Sequence, residues 1–191
     1  MHGLPRVTTS LIAVCLVVAL ASGFGGSIEF LKPLFISVYD GAGLPEIRSG
    51  QVWRLITPIF IHFGILHLAF NMLWLWDLGS GIERVMGSAY LGLVVAVTGV
   101  LPNVAQYAWD GPAFGGMSGV VYGLLGYIWM QGRFNPYFGL YLRRPIVVMM
   151  LVWYVLCWTG IFGPIANMAH TVGLALGVAW GFVDASRKVY G

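Results

Sequence analysis

Residues 111–127 read GPAFGGMSGVVYGLLGY. A Gly/Pro-rich stretch gives way at Ser118 to an apolar run in which glycine recurs every fourth position, at 115, 119 and 123. In water such glycines weaken a helix. In lipid a stripe of small residues lets a second helix backbone come close. A matching stripe, Gly173, Gly177 and Gly181, lies in the last apolar segment. The pairs Gly119 and Gly123, and Gly173 and Gly177, are therefore read as helix-packing residues. His170 extends the second stripe by one turn, and Ser118 stands at the corresponding end of the first.

Composition agrees with a lipid solvent. The chain is 59% hydrophobic and only 9% charged, with a mean hydropathy of +0.83, whereas soluble domains average about 25% charged residues. Six apolar segments separate at charges, Gly and Pro: about 8–24, 65–82, 89–109, 118–131, 145–162 and 167–184. The expectation is an all-α polytopic membrane protein: a six-helix bundle forming one membrane domain over 1–191, with no separate soluble domain. The connection over about 25–64 is too apolar and too long for a structureless loop, so it is expected to be partly membrane-embedded, as short interfacial helices. The first segment also admits reading as a cleaved signal peptide, with a mature start near Ser22; a retained anchor is the reading adopted.

Lys and Arg set the orientation. Seven of them (Arg6, Arg84, Arg133, Arg143, Arg144, Arg187 and Lys188) fall on one side, and Lys32, Arg48 and Arg54 on the other, which puts both termini in the cytoplasm. A formal charge of +3 with no long basic run leaves nucleic acid out as a partner and the lipid bilayer in. Cys15 and Cys157 lie in apolar runs and read as small core residues.

Polar residues inside a bilayer are costly enough to be functional candidates. In this orientation the second, fourth and sixth segments all begin at the external face, so His67, Asn71, Ser118 and His170 share the outer part of the membrane. The fourth segment, from Ser118 to Gln131, is about 21 Å long at 1.5 Å per residue, against a hydrocarbon core of about 30 Å. Its start is expected below the surface, under a wet cavity.

A serine becomes a nucleophile when a base takes its proton, and His170 is the candidate base. Asp77 and Glu83 belong toward the cytoplasmic end of the second segment, so a Ser-His dyad is expected, with Tyr122 and Asn167 as residues that orient the imidazole. The N–H of Ser118, His67 and the amide of Asn71 would stabilise an oxyanion. Arg54 and Glu83 read as charges that hold the fold, and His62 as an interfacial residue without a chemical task. Each residue alone has a plainer reading: Ser118 as a helix cap or packing residue, His67 or His170 as an interhelical hydrogen bonder, Asn71 as structural, Tyr122 as filler.

Three segments, GGMSGVVYG (115–123), HFGILHLAFN (62–71) and ANMAHTVGLALG (166–177), with VWR at 52–54 and GIERVMGS at 81–88, resemble the signatures of the rhomboid family of intramembrane serine proteases over about 50–185. The resemblance implies Ser118 as nucleophile and His170 as general base of an endopeptidase, acting through an acyl-enzyme on transmembrane protein substrates. It adds the Gly115 backbone to the oxyanion region with His67 and Asn71, and stacks Tyr122 on His170. It makes the loop around GIFGPIAN a cap and the fifth helix a gate. It implies a bacterial inner-membrane location with the site opening to the periplasm, and no cofactor or metal. Some relatives carry a soluble domain before the first span; here about seven residues precede it. Two other classes stay open on the residues alone: a noncatalytic relative that binds membrane helices, and a haem protein using His67 and His170 as axial ligands.

Overall fold

The structure, a computed structural model, describes residues 4–41 and 43–190, with the backbone alone for 188–190. The charge of Lys188, counted above, thus lies outside the described side chains. Among the described residues the fold is all-helical, without strands.

Six helices carry it. Helix α1 is Arg6–Ala21. Ile65–Trp74, a π-helical turn Leu75–Gly79 and Ser80–Met86 run on without a break and together form α2. Then come α3 (Ser88–Asp110), α4 (Ser118–Phe134), α5 (Arg144–Cys157) and α6 (Asn167–Tyr190). Between α1 and α2 lie four single-turn helices, Ile28–Leu31, Pro45–Arg48, Val52–Leu55 and Thr57–Phe60. Two helices, Ser88–Asp110 and Asn167–Arg187, are long and apolar enough to cross a membrane by length and hydropathy; α1 and α5 are shorter apolar helices.

Helix α4 is the centre. Val120, Leu124, Leu125, Tyr127 and Ile128 on it have no exposed surface. It runs parallel to α6, since Ser118 meets His170 at one end and Gln131 donates to the Gly181 carbonyl at the other. It runs antiparallel to α3, where Gly119 faces Pro102 and Gly123 faces Thr98. The glycines of α6 point at the α4 backbone: a methyl on Gly173 or Gly177 would strike the carbonyl of Gly119 or Gly123. On α4 itself Gly126 has the same role toward Leu174 and Val178, a position outside the every-fourth stripe.

Helix α4 continues three residues beyond Gln131. That side chain is fully buried and bonded to Gly181 and Asp184 of α6, so a polar residue there does not end the helix. At 17 residues it is about 25 Å long, still short of a hydrocarbon core of about 30 Å.

Two buried charges tie the periphery down. Glu83 accepts from the Val7 and Thr8 N–H groups at 2.8 and 2.9 Å and from the hydroxyls of Thr8 and Ser88 at 2.7 and 2.6 Å. A carboxylate thus caps the positive end of α1, whose first N–H groups have no intrahelical acceptor. Arg54 donates to the carbonyls of Lys32 and Phe35 and to Gln51 Oε1, closing the segment between α1 and α2 on itself. Asn103 of α3 holds the same segment through the Leu55 carbonyl at 2.9 Å.

Candidate active site

The glycine contacts bring the candidate residues together. Gly119, the neighbour of Ser118, lets α6 approach at Ala169, the neighbour of His170. Gln106 of α3 fixes the start of α6, its Oε1 accepting the N–H groups of Met168 and Ala169 at 3.0 and 3.2 Å. These are among the N-terminal amides a helix leaves unpaired, so a side chain of α3 sets the height at which His170 emerges. The result is a distance of 2.7 Å between His170 Nε2 and Ser118 Oγ. Ser118 is half-buried and His170 buried.

The imidazole lies against the Tyr122 ring, with centroids 4.8 Å apart and planes at 39°; the Tyr122 hydroxyl donates to the Met150 carbonyl of α5. Asn167 makes no direct bond to His170, contrary to the simplest form of its orienting role. Its Nδ2 donates instead to the Cys157 carbonyl at the end of α5, 3.1 Å away, because the first turn of α6 faces the last turn of α5. Both Asn167 Oδ1 and His170 Nδ1 are buried with no hydrogen-bond partner.

His67 stands on the other side of the serine. The Phe63 N–H donates to its Nδ1 at 3.4 Å, which leaves the ring proton on Nε2. That nitrogen faces Gly116: a methyl built on Gly116 would lie 2.8 Å from His67 Nε2 and 3.6 Å from Ser118 Oγ. A donor and the hydroxyl therefore border one small space that glycine keeps open. Asn71 is buried and its amide donates to the His67 carbonyl at 2.9 Å, on the same face of α2. Gly115 packs against Ile61.

The stretch before Ser118 is held by residues the motif reading did not use. The Gly116 N–H donates to the Pro58 carbonyl at 3.0 Å, and the Met117 N–H to His62 Nε2 at 3.4 Å. His62 is 1% exposed; with Nδ1 on the Phe60 carbonyl, it braces the backbone next to the serine, a structural role that the sequence reading did not assign it. Gly116, at φ +133°, adopts a conformation that side chains rarely take. The doublet Gly115-Gly116 was the available signal for it, a lone Gln in an apolar run the signal for Gln106, and the place of His62 at the head of HFGILHLAFN the signal for His62.

Together these groups set a hydroxyl against one imidazole nitrogen and near the ring N–H of a second histidine, the kinds of group that acyl transfer uses. The alternative of axial haem ligation competes for the same atom, since His170 Nε2 is already on Ser118.

Comparison with known proteins agrees with this arrangement. Residues 49–187 match the Rhomboid domain model. The rhomboid protease GlpG of Klebsiella pneumoniae subsp. pneumoniae is 36% identical over 187 residues, covering 96% of this chain and 64% of that protein. GlpG of Salmonella choleraesuis is 44% identical over 179 residues, and that of Salmonella paratyphi A 37% over 179; each alignment covers 93% of this chain and 63% of the relative. The chain thus spans a little under two thirds of the length of these relatives. A match through three quarters of its residues, on the segments that build the site, makes the chain a member of the rhomboid family.

Proposed function

We propose that the chain is an intramembrane serine endopeptidase that hydrolyses a peptide bond in or beside a transmembrane segment of a membrane-protein substrate. The observation that carries the reading is the 2.7 Å contact between Ser118 Oγ and His170 Nε2, made by two residues 52 positions apart. Relatives named rhomboid protease, 36% and 44% identical, support it.

In this reading Ser118 Oγ attacks the scissile carbonyl carbon as His170 Nε2 takes its proton. The oxyanion is met by the Ser118 N–H, by His67 Nε2–H across the space beside Gly116, and by the Asn71 amide after it turns from the His67 carbonyl; the backbone at Gly115 and Gly116 shapes that space. His170 returns the proton to the leaving amine, and water then hydrolyses the acyl-enzyme ester with the same residue as base. Tyr122 packs the imidazole in place.

The reading extends to the membrane. All six helices would cross it, α1, α2, α4 and α5 within the bundle, in a single rhomboid membrane domain of a bacterial inner membrane with both termini cytoplasmic. The segment between α1 and α2 would lie partly in the outer leaflet. A helix of about 25 Å anchored at Arg133 starts about 5 Å inside a 30 Å core, so the site would open to the periplasm through water. Helix α5 is the element suited to admit a substrate helix, since its ties to the site are single side chains: Trp153 on Phe70, Tyr154 on Thr171 and Tyr122, the Tyr122 hydroxyl on the Met150 carbonyl and Asn167 on the Cys157 carbonyl.

The test is incubation of the purified protein, its Ser118→Ala and its His170→Ala variants with a labelled membrane-spanning substrate in proteoliposomes. Cleavage by the wild type and none by either variant is expected. Equal cleavage by Ser118→Ala would remove the assignment, and a folded wild type that neither cleaves nor reacts with a fluorophosphonate would favour a noncatalytic binder of membrane helices.

A further inference from the structure

For Ser118 to donate its proton to His170 Nε2, the neutral imidazole must carry its own proton on Nδ1. In the more familiar serine hydrolases a carboxylate accepts a hydrogen bond from that Nδ1–H and fixes the tautomer. Here Nδ1 is buried with no protein partner. The titratable groups around the ring are His67 on α2, Tyr122 on α4, and Tyr154 and Cys157 on α5 beyond Tyr122; none is a carboxylate. A buried N–H without an acceptor costs about 1–3 kcal/mol, so what accepts it is a structural question.

A second buried polar atom without a partner is Asn167 Oδ1. It belongs to the residue three positions earlier on the same helix, and side chains at that spacing are neighbours on one helix face. The orientation of the amide is set from outside α6. Its Nδ2 is bound to the Cys157 carbonyl at 3.1 Å, which leaves the oxygen as the free end. An N–H donor and a carbonyl acceptor on one face, both hidden and not bonded to each other, are the pair of partners that an internal water bridges.

We propose that Asn167 is a positioning residue for the base: one buried water accepts a hydrogen bond from the His170 Nδ1–H and donates one to Asn167 Oδ1, holding the imidazole in the tautomer that can receive the Ser118 proton. The end of α5 serves as the anchor that keeps the amide oxygen turned toward that water. The proposal rests on the Ser-His reading above and assigns the third member that reading lacks.

The experiment is the rate of Ser118 labelling by an alkyl fluorophosphonate as a function of pH, together with thermal unfolding in the same detergent. It compares the wild type, Asn167→Leu and Asn167→Asp. Asn167→Leu is expected to slow labelling on the order of 10-fold at neutral pH in molecules that remain folded. Asn167→Asp keeps an acceptor and adds a negative charge near the ring, which favours imidazolium; its acidic limb is expected to move up by about one pH unit. A purely structural Asn167 would alter unfolding and leave the labelling rate of folded Asn167→Leu molecules within twofold of wild type. Labelling of folded Asn167→Leu within twofold of wild type at every pH would overturn the proposal. If Asn167→Leu fails to fold, the labelling rate of Asn167→Ala, read the same way, decides. Failure of the wild type to label, or labelling of Ser118→Ala at the wild-type rate, would instead sink the dyad itself.

Discussion

The α-carbon of Gly177 rests against the carbonyl of Gly123, so close that no β-carbon fits between α6 and α4. One turn toward the serine, Gly173 stands the same way to Gly119. These contacts define the register in which His170 reaches Ser118. Gly177→Ala is expected to lower stability by about 1–3 kcal/mol, the usual cost of overpacking, and to slow fluorophosphonate labelling, because the helices must part or slide. Gly92→Ala on α3 is the control: its β-carbon would meet nothing within 4 Å, and alanine favours a helix by up to about 1 kcal/mol over glycine. Thermal unfolding in detergent should separate the two variants in opposite directions; equal melting points would refute the packing argument.

Glu83 predicts a loss of stability away from the site. With four groups donating to it, Glu83→Ala leaves two backbone N–H groups and a hydroxyl at the start of α1, and the Ser88 hydroxyl at the start of α3, without their acceptor. A loss of about 3 kcal/mol is expected, since single hydrogen bonds to a charge contribute about 1.5–3 kcal/mol. Glu83→Gln, which keeps one acceptor oxygen, should lose less. In both variants Ser118 of the folded fraction should label at the wild-type rate. A change in that rate without a change in melting would assign Glu83 to the chemistry instead.

What the sequence conveyed and what it withheld divide along a physical line. Helical class and family follow from features local in the chain: apolar runs, glycine spacing, and short motifs in a fixed order. The contacts made where two distant segments meet had no local mark. His62 stands at the head of HFGILHLAFN, yet it braces Met117 from 55 residues away. Asp184 looks like a charge at the end of a span, yet it accepts from Tyr127, Tyr90 and Gln131 inside the bundle. That meeting also carried α4 on to Phe134, past the polar residue that appeared to end it. Membrane-crossing length is likewise not a property of one segment: α2 crosses a π-helical turn at Leu75–Gly79, so its apolar length is spread over three pieces.

The carboxyl of Glu46 predicts an acid limit to stability. Burial pushes its pKa up, but the Val38 N–H, the Ser37 hydroxyl and the charge of Arg54 outweigh that and hold it below its ordinary 4.5. A group with a lowered pKa in the folded state stabilises the fold above its unfolded pKa and loses that contribution as pH falls through the folded one. The contribution of Glu46 is therefore whole above about pH 4.5 and fades below it. The difference in unfolding free energy between wild type and Glu46→Gln should be constant from pH 8 to 5 and shrink in more acidic buffer. A difference that grows on acidification would show the sign to be wrong.

Gly116 offers the sharpest separation of chemistry from folding. Its φ of +133° is strained for any residue with a β-carbon, at a cost of order 1–3 kcal/mol. That β-carbon would also stand 2.8 Å from His67 Nε2 and 3.6 Å from Ser118 Oγ. It would occupy the space in which the proposed mechanism forms the oxyanion. Loss of one oxyanion donor typically costs about 10²–10³ in kcat, and a methyl there displaces the substrate atom from every donor at once. Gly116→Ala is thus expected to fold with a modestly lower melting point and to lose at least about 100-fold in cleavage of a membrane-spanning substrate. Gly139→Ala, at a positive φ of 75° with nothing within 4 Å of its β-carbon, should pay the strain alone and keep its activity. If Gly116→Ala cleaves as well as Gly139→Ala, the oxyanion does not form beside Gly116, and the donor role of His67 falls with it.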